Sequence, residues 1–181
     1  MKKQVIVLAI MVVLISIVVY QNVSNKSEAQ QGNVEELPKV GFKAPSFKLA
    51  SLDGKTYSIP AEENIPIVIN FWASWCGPCR LEAPELVKLY NKYQGKIEIY
   101  AINLTTQDSV DNARTFADHY GFRFPVLLDN DANKSVAKLY KNQAIPTTYF
   151  INKNGIIVDK IMGLTDLKGL ERKFQSLAAA D

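Results

Sequence analysis

The chain has 181 residues, 48% apolar and 22% charged, which suits an ordinary folded core and excludes a wholly disordered protein. A net charge of +3, from 21 basic and 18 acidic residues without a dense Lys/Arg run, gives no footprint for nucleic-acid binding. Two cysteines, Cys76 and Cys79, and one histidine, His119, argue against a disulfide-stapled mini-protein, a structural zinc site and a haem-attachment motif.

Lys2 and Lys3 precede an apolar run over residues 5–20, interrupted only by Ser16. As a helix it would rise roughly 24 Å at about 1.5 Å per residue, somewhat short of a hydrocarbon core of about 30 Å. Met1 and snorkelling of the two lysines extend it. A lipoprotein signal needs a cysteine just after the run, and none is there. A cleaved signal needs small residues close behind it. Here Tyr20, Gln21 and Asn22 follow, and the nearest small-x-small pattern is Ser27-Glu28-Ala29. A buried core helix would show a polar face, and this run has none. Residues 1–21 are therefore expected to form an uncleaved signal-anchor helix across a membrane. The lysines place its N-terminus in the cytoplasm and the rest of the chain outside. Residues 22–37, rich in Gln, Asn, Ser, Lys and Glu, read as a flexible tether. Residues 38–181 have the size of one domain.

Within that domain, strands at 47–49 and 56–59 flank Asp53-Gly54, a hairpin signal. The continuous apolar run at 65–72 predicts a central strand buried on both faces. A helix is expected from 76 to 93, stopping near Gly95, and a strand over 97–104. Residues 109–120 form a helical stripe of Val110, Ala113, Ala117 and Tyr120, with Asp108 as its expected N-cap and Gly121 as its stop. A short strand at 126–128 and a short helix at 134–140 come next. Strands at 147–151 and 156–161 join through Asn154-Gly155. A final helix starting near Asp166 turns Leu167, Leu170, Phe174 and Leu177 inward. The order predicts an α/β domain with a mixed central sheet.

Cys76-Gly77-Pro78-Cys79 lies between the buried strand and the first long helix, a redox reading for a C-x-x-C in a βαβ context. Two intervening residues at a helix start bring the two side chains within disulfide reach. The positive end of the helix dipole stabilises a Cys76 thiolate, the attacking species. Pro78 costs little in the first turn, where its missing N–H would have no helical partner. Cys79, one turn further in, is expected to be less exposed and suited to resolving a mixed disulfide. The plainer readings are a static disulfide or half of a zinc site. Zinc lacks two further ligands, and a disulfide across a two-residue gap removes little chain entropy.

The segment Asn-Phe-Trp-Ala-Ser-Trp-Cys-Gly-Pro-Cys-Arg-Leu-Glu-Ala-Pro, residues 70–84, resembles the thioredoxin superfamily. Within it the chain resembles the membrane-anchored ResA/TlpA branch of extracytoplasmic thiol–disulfide oxidoreductases. Gly41-Phe-Lys-Ala-Pro-Ser-Phe47 and the hairpin after it resemble the branch's N-terminal extension. Residues 104–130 resemble its helix-and-strand insertion, and Ile145-Pro146-Thr147-Thr148 its cis-proline loop. The resemblance implies a thioredoxin fold with that extension and insertion, behind one transmembrane helix.

A proline directly before a strand can be an ordinary trans residue or a cis residue that turns the preceding carbonyl outward. The resemblance implies the cis form for Pro146, packed against the cysteines, with the Ile145 backbone pairing with an extended substrate. Glu82 shares a helical stripe with Cys79, Leu86, Leu89 and Tyr93. Desolvation there should raise its pKa, and its charge should oppose a nearby thiolate. Thioredoxins carry a buried aspartate on the preceding strand as proton acceptor for the second cysteine. The matching residue here is Asn70, which cannot titrate, and the ResA type resembles this chain in having both Asn and Glu. Glu82 is therefore expected to tune the cysteines or relay a proton, the alternative being a partly exposed helix carboxylate. Trp75, with Gly77 and Pro78, is expected to form the contact surface for thiol substrates. Trp72 reads as core, Pro84 as a packing kink, Arg80 and Lys88 as solvated, and His119 as a solvated or helix-end residue.

The expected chemistry is dithiol–disulfide exchange by a monomer needing no metal, flavin or nucleotide. The resemblance implies a membrane thiol–disulfide carrier as electron donor and an exported protein such as apocytochrome c as substrate. Gly-Pro between the cysteines leans towards a reductant. A reductase for another envelope or spore-assembly protein would use the same chemistry. Two rivals belong to other classes. Ala44-Pro45-x-Phe47 also opens peroxiredoxin-like chains, but Ala73-Ser74-Trp75 before Cys76 does not supply a thiol peroxidase's Thr-x-x pattern. An inert anchored docking module could have lost one cysteine or the proline, and both are present.

Overall fold

The alternation of apolar runs and amphipathic stretches resolves into a layered α/β unit. The computed structural model describes residues 35–61 and 64–179, together with Met11 and Ser16. Its elements are β1 (Phe47–Ala50), β2 (Thr56–Ile59), β3 (Ile67–Trp72), α1 (Gly77–Lys92), β4 (Glu98–Asn103) and α2 (Val110–Tyr120). They continue with β5 (Val126–Leu128), α3 (Val136–Leu139), β6 (Thr147–Ile151), β7 (Ile157–Met162) and α4 (Leu167–Ala179). β1 and β2 form an antiparallel pair, and the remaining strands form a five-stranded sheet in the order β5-β4-β3-β6-β7. β3, β4 and β5 run parallel, while β6 is antiparallel to both β3 and β7. The sheet is mixed, and β3 lies at its centre with all of its residues buried.

Side chains alternate across a strand. Val68 and Trp72 of β3 join a core with Leu86 and Leu89 of α1, Phe116 of α2, and Leu170 and Phe174 of α4. Ile67, Ile69 and Phe71 point the other way, into a core with Phe47 and Ile59 of the hairpin and with Val136 and Tyr140. The extension ahead of β3 thus covers a face that would otherwise meet water. Two of the buried tyrosines of that core, Tyr140 and Tyr149, donate their hydroxyls to backbone carbonyls. Tyr140 Oη–H donates to Pro45 O at 2.9 Å and Tyr149 Oη–H to Tyr140 O at 2.9 Å.

Helix ends supply the corrections. The N-cap of α2 is Ser109, not Asp108: Ser109 Oγ accepts from Asn112 N–H at 3.1 Å. Gly121 ends α2 in the left-handed conformation, φ 70°, where a Cβ would be strained. Val110 and Leu167, both expected inward, are exposed. Each is the first residue of its helix and lies beyond the core that takes the rest of its stripe. Phe116, outside the expected stripe of α2, is buried and stacks on Trp72 with ring centroids 4.5 Å apart. α1 runs unbroken through Pro84.

No helix among the described residues is long and apolar enough to cross a membrane. The run at 5–20 is described only at Met11 and Ser16, both helical. The expected anchor therefore lies outside the described residues, as do residues 22–34 of the tether expected over 22–37; its last residues belong to the folded unit, where Glu36 bridges Lys43 and accepts from Ser46.

Candidate active site

β3 ends at Trp72 and the chain turns through Ala73, Ser74 and Trp75 into α1, so strand and helix together fix the position of Cys76. Cys76 is the N-cap of α1, and its sulfur accepts from Cys79 N–H at 3.2 Å. No acidic side chain stands in the first turn of α1 to oppose a negative sulfur there. Cys76 and Cys79 form a disulfide, with their Cα atoms 5.2 Å apart. Both cysteines are buried, 4% accessible for Cys76 and 3% for Cys79, so Cys76 is nearly as hidden as Cys79. One reason is the loop before β6: Ile145 O lies 3.7 Å from Cys76 Sγ. The Ile145–Pro146 peptide is cis, and Pro146 O accepts from Gly163 N–H at 2.8 Å. Trp75, Gly77 and Pro78 form an exposed rim around the disulfide, with Trp75 53% accessible. Gly77 has no atom close to where a Cβ would stand, so space does not demand a glycine between the cysteines.

Behind the disulfide lies a buried polar group. Glu82, one turn beyond Cys79 on α1, is 3% accessible. Asn70 points from β3 towards α1, as strand alternation requires, and its Nδ2–H group donates to Glu82 Oε2 at 2.8 Å. The same amide donates to Thr148 Oγ1 at 2.9 Å, across the β3–β6 pair in which Asn70 faces Thr148. Glu82 Oε1 has no hydrogen-bond partner among the described residues. Burial pushes the Glu82 pKa up to about 7, against the lowering effect of the Asn70 bond. A carboxyl in that range can hold or release a proton near neutral pH, one helical turn from a cysteine.

Sequence reasoning missed a second group. The Asp108 carboxylate accepts from Ser74 N–H at 2.7 Å and Ser74 Oγ–H at 2.7 Å. It also accepts from Asn103 Nδ2–H at 2.9 Å and Ser109 N–H at 2.9 Å. Burial alone would raise the Asp108 pKa, but these donors together hold it below the ordinary carboxylate range. Trp75 Nε1–H donates to Gln107 O at 2.9 Å. Arg80, expected on a solvated face, is exposed, yet its Nε–H and Nη2–H donate to Ser74 O at 3.1 and 3.0 Å. Asp108 and Ser109 are both good caps, so the sequence held two candidates for one position, and the surplus carboxylate was the available signal. His119 sits in the last turn of α2 and lines an open depression with Trp75 and Arg80. Among the described residues no cluster of His, Cys, Asp or Glu could hold a metal ion.

A disulfide between cysteines three positions apart at a helix start, facing a cis-proline loop that enters the strand beside β3, defines a thiol–disulfide oxidoreductase of thioredoxin-like fold. The chain belongs to the AhpC/TSA family, whose sequence pattern matches residues 40–160. It is 37% identical over 134 residues to the thioredoxin-like protein YneN of Bacillus subtilis, covering 74% of this chain and 77% of that one. It is 35% identical over 175 residues to the thiol-disulfide oxidoreductase ResA of Oceanobacillus iheyensis, covering 94% of this chain and 86% of that one. Among solved structures it is similar to a thiol:disulfide interchange protein of the DsbE kind from Chlorobium tepidum. That match has a TM-score of 0.70 and 27% identity, over 79% of this chain and 99% of the other.

Proposed function

We propose that this oxidoreductase reduces disulfides of exported proteins on the outer side of a bacterial cytoplasmic membrane, anchored there by residues 1–21. The observation that carries the reading is the buried Glu82–Asn70 pair on the helix of Cys79, a proton-accepting group beside a cysteine pair that cycles between dithiol and disulfide. The Cys76 thiolate attacks one sulfur of the substrate disulfide, and the other sulfur leaves as a thiolate that takes up a proton. Cys79 gives its proton towards Glu82 and attacks Cys76 Sγ, releasing the second substrate thiol. Two electrons have then passed from the enzyme dithiol to the substrate, and the Cys76–Cys79 disulfide remains. A membrane thiol–disulfide carrier restores the dithiol. Trp75, Gly77, Pro78 and the Ile145–Pro146 loop hold the substrate chain, with the Ile145 backbone open to an added strand. No metal, flavin or nucleotide enters this scheme, and it asks only for a monomer.

Within this reading the substrate is an exported protein such as apocytochrome c, which the resemblance of residues 70–84 and 145–148 to the ResA/TlpA branch implies. Trapping in cells tests both layers. Cys79→Ala should accumulate mixed disulfides that include apocytochrome c, and Cys76→Ala should accumulate none. If Cys76→Ala is the variant that traps, the two roles are reversed. If Cys79→Ala traps only other envelope proteins, the substrate is wrong and the chemistry stands.

A further inference from the structure

We infer that Asp108 is a positioning residue for protein disulfides: its carboxylate braces Ser74 and thereby keeps the Trp75 ring presented beside Cys76. The inference rests on the reading of Trp75 as part of the substrate-binding rim. Every polar group of Ser74 is engaged. Its N–H and Oγ–H go to Asp108, and its carbonyl receives Arg80. The residue two places ahead of Cys76 therefore has little freedom. Trp75 follows, and its indole N–H is tied to Gln107 O on the same turn that carries Asp108. That turn is itself anchored. Gln107 N–H donates to Leu104 O at 2.8 Å, Leu104 N–H to Trp72 O at 3.0 Å, and Asn103 to Asp108.

An indole gains free energy by leaving water, and one joined to a slack loop would fold down onto the nearest apolar surface. Trp75 instead remains 53% accessible. Its amide neighbour and its ring nitrogen are both fixed to the segment between β4 and α2. This inserted segment therefore reaches the reacting sulfur through Ser74 and Trp75, and Asp108 is where the ties meet. Its bonds to the Ser74 amide and hydroxyl are short and charge-assisted. The alternative is that Asp108 merely fastens α2 to the core.

A double-mutant cycle on the full chain separates the two, with insulin as the protein disulfide and dithiothreitol supplying the electrons that restore the enzyme dithiol after each turnover. Asp108→Ala should lower kcat/KM about 10-fold, chiefly through KM, and on a Trp75→Ala background the same change should cost less than about 2-fold. Acrylamide quenching of indole fluorescence should differ between the parent and Asp108→Ala, and the difference should vanish once Trp75 is replaced. An equal loss in both backgrounds would overturn the proposal and leave Asp108 a structural fastener. If Asp108→Ala does not fold, Ser74→Ala removes one donor and is read in the same cycle. Absence of coupling to Trp75 there counts equally against the proposal. A parent enzyme that reduces no insulin would sink the disulfide-reductase reading and this inference with it, whereas an active parent without coupling sinks the inference alone.

Discussion

On one side of β3, Ile67, Ile69 and Phe71 meet the β1–β2 hairpin and Tyr140 in an apolar core where the Tyr140 and Tyr149 hydroxyls donate to carbonyls. On the other side, Val68 and Trp72 flank Asn70, which holds the buried carboxyl of Glu82. The two faces are set by alternate residues of one six-residue strand. The hairpin face only has to exclude water. The helix face gives up part of that advantage to keep a group that can exchange a proton next to the disulfide. Desolvation of Glu82 is a cost to the fold and the origin of its pKa near 7.

The largest expected effect belongs to the hairpin face. Phe71→Ala should destabilise the domain by about 3–5 kcal/mol in chemical denaturation, the cost of emptying a packed aromatic site. Thiol alkylation of the molecules that stay folded should keep the parent pH profile. A shifted profile would mean that the faces are not separable.

Glu82→Gln comes next and bears on the helix face. With a folded-state pKa of about 7 against an ordinary 4.5, the parent binds more protons folded than unfolded between those values. Its stability should therefore fall as pH rises from about 4.5 to 7, by at most about 3 kcal/mol, and change little from this cause above. The Gln variant should lack that slope in denaturation midpoints measured across pH. Removing the charge should also move the thiol alkylation profile downward and slow the steps that need a proton accepted. A parent without the slope would show that Glu82 titrates as an ordinary surface carboxylate.

Thr148→Val is the smallest. It takes one acceptor from the Asn70 amide and should cost about 1 kcal/mol in denaturation, while the Glu82 titration stays where it is because the Asn70–Glu82 bond survives. A shift in that titration would show that the group behaves as a single network rather than as a pair.

The strand that separates these faces was legible because six buried residues in a row leave few other solutions. The helix stop at Gly121, the hairpin at Asn154-Gly155 and the cysteine pair are likewise local signals, read from adjacent residues. What escaped was non-local. Asp108 grips Ser74 across 34 positions, and no periodicity carries that information. Local reasoning gave Asp108 the capping task that Ser109 performs. Val110 and Leu167 fit their stripes by spacing, yet a stripe says nothing about where the core beneath it ends. The near-equal burial of the two cysteines depends in part on the Ile145–Pro146 loop, which lies far away in the sequence and sets Ile145 O against Cys76 Sγ.

The segment ahead of β2 does more than cover the face that holds Phe71. Gly41 N–H donates to Ile157 O at 2.8 Å, and Ile157 N–H donates to Phe42 O at 2.9 Å, along the outer side of β7. Leu52 N–H donates to Val126 O at 2.9 Å, and Ser51 bridges Leu127, along the outer side of β5. One stretch of chain thus touches both margins of the five-stranded sheet. Open margins are templates on which other chains add strands. On the proposed reading the substrates are exported polypeptides, and these short pairings leave such chains less open margin on which to add a strand.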